Sequence, residues 1–298
     1  MYKFRILKDK VMSIVMQSLT SFAVLIMFII GGGLLYKAWP ILEQYGFFNM
    51  LTSETWRPFK GQFGFLPYIM GTVWIAVIGI SIAFPLCLLT SVYLSEYASA
   101  RIRSIVVPLI DLLAGVPPVV YGVWGVLTIV PFIGDTLAPH FVEYSSGYSV
   151  LAGGIVLSIM TFPLIISILR EVFAAIPNEL RDASLSLGAT KWQTTKLVVI
   201  RKALPGIIAA IVLAISRALG ETIAVLMVCG NIAAIPKSIF DSCYPLPALI
   251  ANNYGEMLSI PMYESALMLA AFILFIIIVV FNAVSRFTLA RLERRFKL

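Results

Sequence analysis

Residues 170–206 read REVFAAIPNELRDASLSLGATKWQTTKLVVIRKALPG, a long basic stretch set between two apolar runs. Pro177 interrupts whatever helix precedes it, and Asn178 is then placed to cap a short new one. Glu179 falls in the first turn, where the helix dipole favours an acid. Leu180, Ala183 and Leu187 recur at i, i+3 and i+7, which predicts a narrow apolar stripe, and Gly188 is a stop signal. Such a helix has two uses. It can lay its stripe against the ends of its own flanking segments, or offer it to a groove on a partner.

The flanks decide what kind of protein carries this loop. Of the 298 residues, 60% are hydrophobic and only 12% are charged, against about 25% charged in a soluble domain. The mean hydropathy is +0.97. These values predict an all-α integral membrane protein with six apolar spans near 12–36, 67–95, 104–130, 148–169, 204–229 and 265–287. Val11–Tyr36 carries no charge over 26 residues, too long for the roughly 7–15 residues of a signal-peptide core, so a retained first span is expected. The N-terminal tail, the 96–103 loop, the 170–203 loop and the C-terminal tail hold 17 of the 22 Lys and Arg. The positive-inside bias therefore predicts that both termini and the 170–203 loop are cytoplasmic. On the outer side, Trp56 and nearby Phe suit a membrane–water interface. Residues 230–264, with YPLP, NNYGE and Pro261, have a loop or re-entrant composition.

Much chemistry is excluded. The single histidine, His140, cannot build a His-rich metal cluster. Cys87, Cys229 and Cys243 suggest neither a disulfide framework nor a thiolate metal site. No Gly-Lys dipeptide occurs, so the chain holds no phosphate-binding loop of that type, and an ATP-driven function would need a second chain. The basic C-terminal RLERRFK fits a topology signal better than a nucleic-acid site.

The expected fifth span contains LAISRALGETIAVLMV, residues 213–228. Arg217 and Glu221 are four apart, on one face of a continuous helix, with Arg217 near mid-membrane. An arginine at that depth costs about 2.5–3.5 kcal/mol on insertion scales. An i, i+4 ion pair would reduce this cost without removing it, because both groups stay desolvated. A role in an ion pathway is the functional alternative. In the expected third span, Gly115, Pro117, Pro118, Tyr121 and Gly122 form a proline-bent segment that either packs or lines the route. Asp111, about two turns from the inner end, pairs with inner-face basic groups or touches the transported species.

The 170–203 loop resembles the E-A-A loop of type I ABC importer permeases. Asp182, Ala183 and Ser184 occupy the E-A-A positions and Gly188 the glycine. Val198 and Ile200 stand for the later apolar residues, and Arg201 replaces the proline. WRPFKGQFGFLPYIMGT (56–72), LLAGVPPVVYG (112–122), SLGATKWQT (186–194) and RALGETIAVLMVCGN (217–231) are similar to permease subunits of phosphate importers within that family. The resemblance implies a MetI-like six-span core over residues 67–298, with coupling loop 170–203, and an N-terminal segment, 1–66, holding the tail, first span and an outer stretch. It implies a bacterial or archaeal cytoplasmic membrane, a second permease subunit, two ATPase subunits docking on residues 178–192, and an external phosphate-binding protein. ATP and Mg2+ would sit on the ATPases, with no cofactor on this chain. Arg217 and Glu221 would flank the phosphate path. Competing readings are a permease for another oxyanion such as sulfate or molybdate, an ATP-independent transporter or channel, an intramembrane enzyme, and a scaffold. Only the first two suit a charged pair at depth.

Overall fold

A computed structural model describes residues 2–255, 260 and 262–296, with side chains over 8–255, 260 and 262–291. Glu256 and Pro261 of the expected outer loop lie outside the described residues. The helices in chain order are α1 (Tyr2–Tyr45), α2 (Phe47–Thr52), α3 (Leu66–Val92, extended by a π-helical turn, Tyr93–Tyr97), α4 (Ala100–Ala114) and α5 (Pro118–Trp124). After them come α6 (Val150–Ala174), α7 (Asn178–Ser186), α8 (Lys191–Thr194), α9 (Ile200–Leu219), α10 (Ile223–Val228), α11 (Leu246–Asn253) and α12 (Tyr263–Phe296). A two-stranded antiparallel ribbon, β1 (Trp56–Arg57) with β2 (Gln62–Phe63), pairs Trp56 with Phe63.

Among the described residues, six helical runs are long and apolar enough to cross a membrane: Lys8–Tyr45, Leu66–Tyr97, Pro118–His140, Val150–Ala174, Lys191–Leu219 and Tyr263–Arg291. α3 and α6 form the spine. Glycines let their backbones close up: a Cβ on Gly154 would lie 2.5 Å from an Ile78 methyl, and one on Gly79 would lie 3.1 Å from Leu157. Without a hydrophobic force between helices in lipid, such close approach supplies the dispersion that holds them.

Three buried clusters fill the chain, one toward the face carrying the basic loops and two reaching the opposite face. The first, at the face carrying the basic loops, joins Ala83, Cys87 and Leu94 of the second crossing, Ile110 of α4, Ile165, Leu169 and Phe173 of α6, and Ala203 to Ala214 of α9. The second joins Ile75 and Ala76 of α3, Tyr121 of α5, Val150 to Met160 of α6, Ala218 and Leu219 of α9, and Ala224, Val225 and Val228 of α10. The third lies at the far face, where α1, α11 and α12 close on an aromatic group. There Trp56 packs against Phe63, Phe65, Tyr68 and Tyr263 at centroid distances of 5.3–6.1 Å. Trp56 therefore belongs to a packed aromatic cluster. The re-entrant expectation for 230–264 has a counterpart in α11, whose Leu246, Pro247, Ala248 and Leu249 are buried, with the Leu246 N–H donating to Thr72 Oγ1 at 2.9 Å.

The expected third span, 104–130, is not one bent helix. α4 occupies the first cluster and α5 the second, and the chain is interrupted at 115–117. Pro117 is extended (φ −61°, ψ 143°) and Pro118 takes the first helical position, where its missing N–H costs nothing. The prolines thus separate two helices instead of kinking one. The expected fifth span, 204–229, is also corrected. Its helix begins at Lys191 and ends at Leu219, and α10 resumes after a gap at 220–222.

Candidate functional site

The two interruptions fall at the same height, where the first cluster gives way to the second, and they are neighbours. α10 packs on α5 because Gly122 has no side chain: a Cβ there would lie 2.6 Å from Met227 Sδ and 3.2 Å from Ala224 Cα. Tyr121 is buried, and its hydroxyl donates to the Leu113 carbonyl at 2.9 Å, bridging α5 back to α4 across the gap. Replacing Gly122 with Val should lower the thermal midpoint of the purified assembly, with a cost of about 1–3 kcal/mol for overpacking against backbone. An unchanged midpoint would mean that α5 and α10 are not held in register by this contact.

Arg217 sits in the last turn of α9 and is exposed in the single chain, in line with Ala209, Leu213 and Gly220. Its neighbours Ile215 and Leu219 share a groove with Ala76, Val77 and Ile80 of α3. Those α3 residues stand 10–14 positions from Leu66, a rise of about 15–21 Å, which is near mid-membrane. Glu221 does not share a helical face with Arg217, because the helix has ended at Leu219. Among the described residues the ion pairs are Lys37–Glu264 and Arg181–Glu96, so the expected i, i+4 pair is absent. The cause is Gly220, whose N–H closes onto the Arg217 carbonyl at 3.1 Å as the helix terminates. Glu221 is instead half-buried in a small crevice with Thr72, Ile75, Val225, Pro245 and Pro247, about two turns from the far end of α3.

The gaps themselves are open. Gly115, Pro117 and Gly220 are exposed, and Val116, Glu221 and Thr222 are half-buried. Irregular backbone at membrane depth is tolerated only where protein covers it or water reaches it. That face carries exposed Leu112, Leu113, Leu213 and Ile223 around the gaps.

Asp111 stands apart from this region. It lines a cavity of about 590 Å3 at the basic face together with Glu96, Arg103, Arg170, Glu171 and Arg181. No residue of the mid-membrane gaps lines that cavity, so Asp111 is placed among basic side chains.

α7 carries the remaining expected residues. Leu180, Asp182, Ala183 and Leu187 are exposed, with Leu187 at 88%. The apolar stripe faces away from the chain's own spans, which excludes the self-packing use. Polar groups on the opposite side attach the helix: Ser184 Oγ lies 3.0 Å from Thr194 Oγ1, and Arg181 reaches Glu96. Pro177, not Asn178, precedes the first helical residue, and the Asn178 amide oxygen accepts from Arg181 instead of capping. Gly188 does end the helix. At φ +84° its N–H donates to Leu185 O and the Ala189 N–H to Ser184 O, the paired bonds of a left-handed glycine terminus.

Residues that sequence reasoning passed over also matter. Ser216, next to Arg217, donates to Asn282 Oδ1 at 3.1 Å, tying α9 to α12. Glu96, Arg103 and Arg181 were visible only as loop charges.

Comparison with known proteins agrees with this architecture. Residues 87–298 match the family model described as binding-protein-dependent transport system inner membrane component. The chain is 34% identical to the phosphate transport system permease protein PstC of Mesorhizobium japonicum, over 92% of this chain and 88% of that one. It is 34% identical to the probable PstC of Methanocaldococcus jannaschii, over 91% and 90%. Among solved structures, the inward-facing MetNI methionine ABC transporter is similar in fold, with a TM-score of 0.54 at 17% identity over 74% of this chain and 90% of that one. An importer of the acidic polysaccharide alginate gives 0.53 at 15% identity, over 78% and 80%. The protein is thus a multi-pass inner-membrane permease of an ABC transport complex, and it belongs to the binding-protein-dependent transport system inner membrane component family.

Proposed function

We propose that the chain is a permease subunit of an ATP-driven inorganic phosphate importer, with its basic face cytoplasmic. The observation that carries this reading is the exposed Arg217 guanidinium near mid-membrane, beside two interrupted helices that the chain itself leaves uncovered. A second permease subunit would complete the path. Arg217 presents a planar fork of donors that suits two oxygens of a phosphate. Glu221, toward the external side, accepts hydrogen bonds when ionised. Phosphate near neutral pH carries a proton to give it, whereas sulfate carries none and is repelled. An external binding protein would deliver the ion, and two ATPase subunits carrying ATP and Mg2+ would dock on residues 178–192. Gly115, Pro117, Pro118 and Tyr121 would shape the path near its midpoint.

Reconstituted complex in liposomes tests the reading. Phosphate uptake should require ATP and the binding protein, which separates this function from a secondary transporter. Glu221→Gln should keep phosphate transport and make sulfate a better competitor by on the order of 10-fold, about 1.4 kcal/mol of relieved repulsion. Equal sulfate competition in both forms would remove selection by Glu221, and preferred sulfate or molybdate uptake by the unmodified complex would reassign the substrate.

A further inference from the structure

Arg181 is spent entirely on its own chain. Its Nε lies 3.2 Å from both Glu96 carboxylate oxygens, and one terminal nitrogen lies 2.8 Å from Glu96 Oε1 and 3.0 Å from the Phe173 carbonyl. The other donates to the Ile176 carbonyl at 2.7 Å and to Asn178 Oδ1 at 3.2 Å. Every N–H of the guanidinium is thereby directed at an acceptor. The pair is largely shielded, with 17% of the Arg181 side chain and 8% of the Glu96 side chain exposed. Three segments meet there: α7, the end of α6, and the π-helical turn Tyr93–Tyr97 that ends the second crossing. The same turn is gripped from its other side. Arg103 of α4 donates through Nε to Leu94 O at 3.1 Å and through a terminal nitrogen to Ser95 O at 3.2 Å.

A polar linkage therefore runs from the exposed helix α7 through Arg181 to Glu96 of the π-helical turn, and from the backbone of that turn to Arg103 of α4. α4 leads to the interruption at 115–117, and Tyr121 ties its end to α5. Beside the linkage, the 590 Å3 cavity lies against both α4 and α6, so α4 has room to shift relative to α6. In a close-packed core it would not. π-helical turns are rare and occur frequently at functional sites.

We infer that Arg181, Glu96 and Arg103 form the joint that converts displacement of α7 into movement of α4 and of the mid-membrane gap. This rests on the docking of an ATPase at α7. Arg181 is a positioning residue: it touches neither nucleotide nor transported ion. If ATP-driven motion reaches the path by this route, loosening the joint wastes hydrolysis while leaving the subunits assembled.

The test uses the complete complex, both permease subunits, ATPases and binding protein, in liposomes with inorganic phosphate as the probe. ATPase content, ATP hydrolysis and phosphate uptake are measured on the same preparation. Glu96→Gln and Arg181→Gln should each raise the ATP consumed per phosphate imported by fivefold or more at normal ATPase content. The double variant should be no worse than the poorer single one, because both break one joint. Arg103→Gln, which leaves α7 attached, should raise the ratio as well and guards against misfolding of the Arg181 variant. An unchanged ratio in Glu96→Gln and Arg103→Gln, or a double variant whose defect is the product of the singles, overturns the joint. Loss of ATPase content would not mimic its failure, since disruption of docking is read separately from Leu187→Asp.

Discussion

Arg217→Leu is expected to lower ATP-dependent phosphate uptake by on the order of 100-fold while leaving subunit assembly intact. Phosphate must shed water to pass, and a charge-assisted hydrogen bond to a desolvated anion contributes about 1.5–3 kcal/mol. Losing that contribution in the transport barrier corresponds to the stated factor. The fold of the chain is spared because Arg217 is exposed and takes part in no ion pair among the described residues. Arg217→Lys keeps the charge but loses the fork, so an intermediate rate is expected. The comparison is initial uptake of labelled phosphate at equal amounts of reconstituted complex. Normal uptake by the leucine variant would remove Arg217 from the path. Failure of assembly would make it an interface residue instead.

Leu187→Asp should abolish recovery of the ATPase subunits with the permease, by roughly 30-fold or more. Leu187 is 88% exposed at the end of α7, in line with Leu180 and Ala183. An apolar anchor that fills a pocket on a partner contributes about 2 kcal/mol or more to binding, and an aspartate adds the cost of burying a charge. Insertion and folding of the permease should be unaffected, because so exposed a side chain has little packing of its own to lose. Co-purification of tagged permease with untagged ATPase is the readout. Retained ATPase at normal stoichiometry would place docking elsewhere and would also undercut the joint at Arg181.

Six apolar runs were enough to count the crossings, because the bilayer filters each run independently of its neighbours, although the third and fifth were bounded wrongly. α7 was legible for a local reason: Leu180, Ala183, Leu187 and Gly188 encode stripe and stop within one short segment. The two interruptions were not placed, although their signals were present. Gly220 follows the last turn of α9, and Val116 and Pro117 each precede a proline, which disfavours helix. Hydropathy outweighed these signals, since apolar runs flank both gaps closely and the second spans only Gly220, Glu221 and Thr222. That error put Arg217 and Glu221 on one helical face, a relation that holds only on an unbroken helix. The contacts of Arg181 were illegible for a different reason. Glu96 lies 85 residues away, and nothing local joins a loop arginine to the end of another span.

The open gaps at 115–117 and 220–222 bear on the life of the chain before it finds its companions. A newly inserted copy closes most N–H groups there within the chain, Gly115 onto Leu112 O, Val116 onto Leu113 O, Gly220 onto Arg217 O and Glu221 onto Ala218 O. It leaves the exposed Arg217 guanidinium as the group that acyl chains cannot satisfy. A copy expressed without a companion subunit over that charge is therefore expected to be shorter-lived in the membrane than one expressed with it.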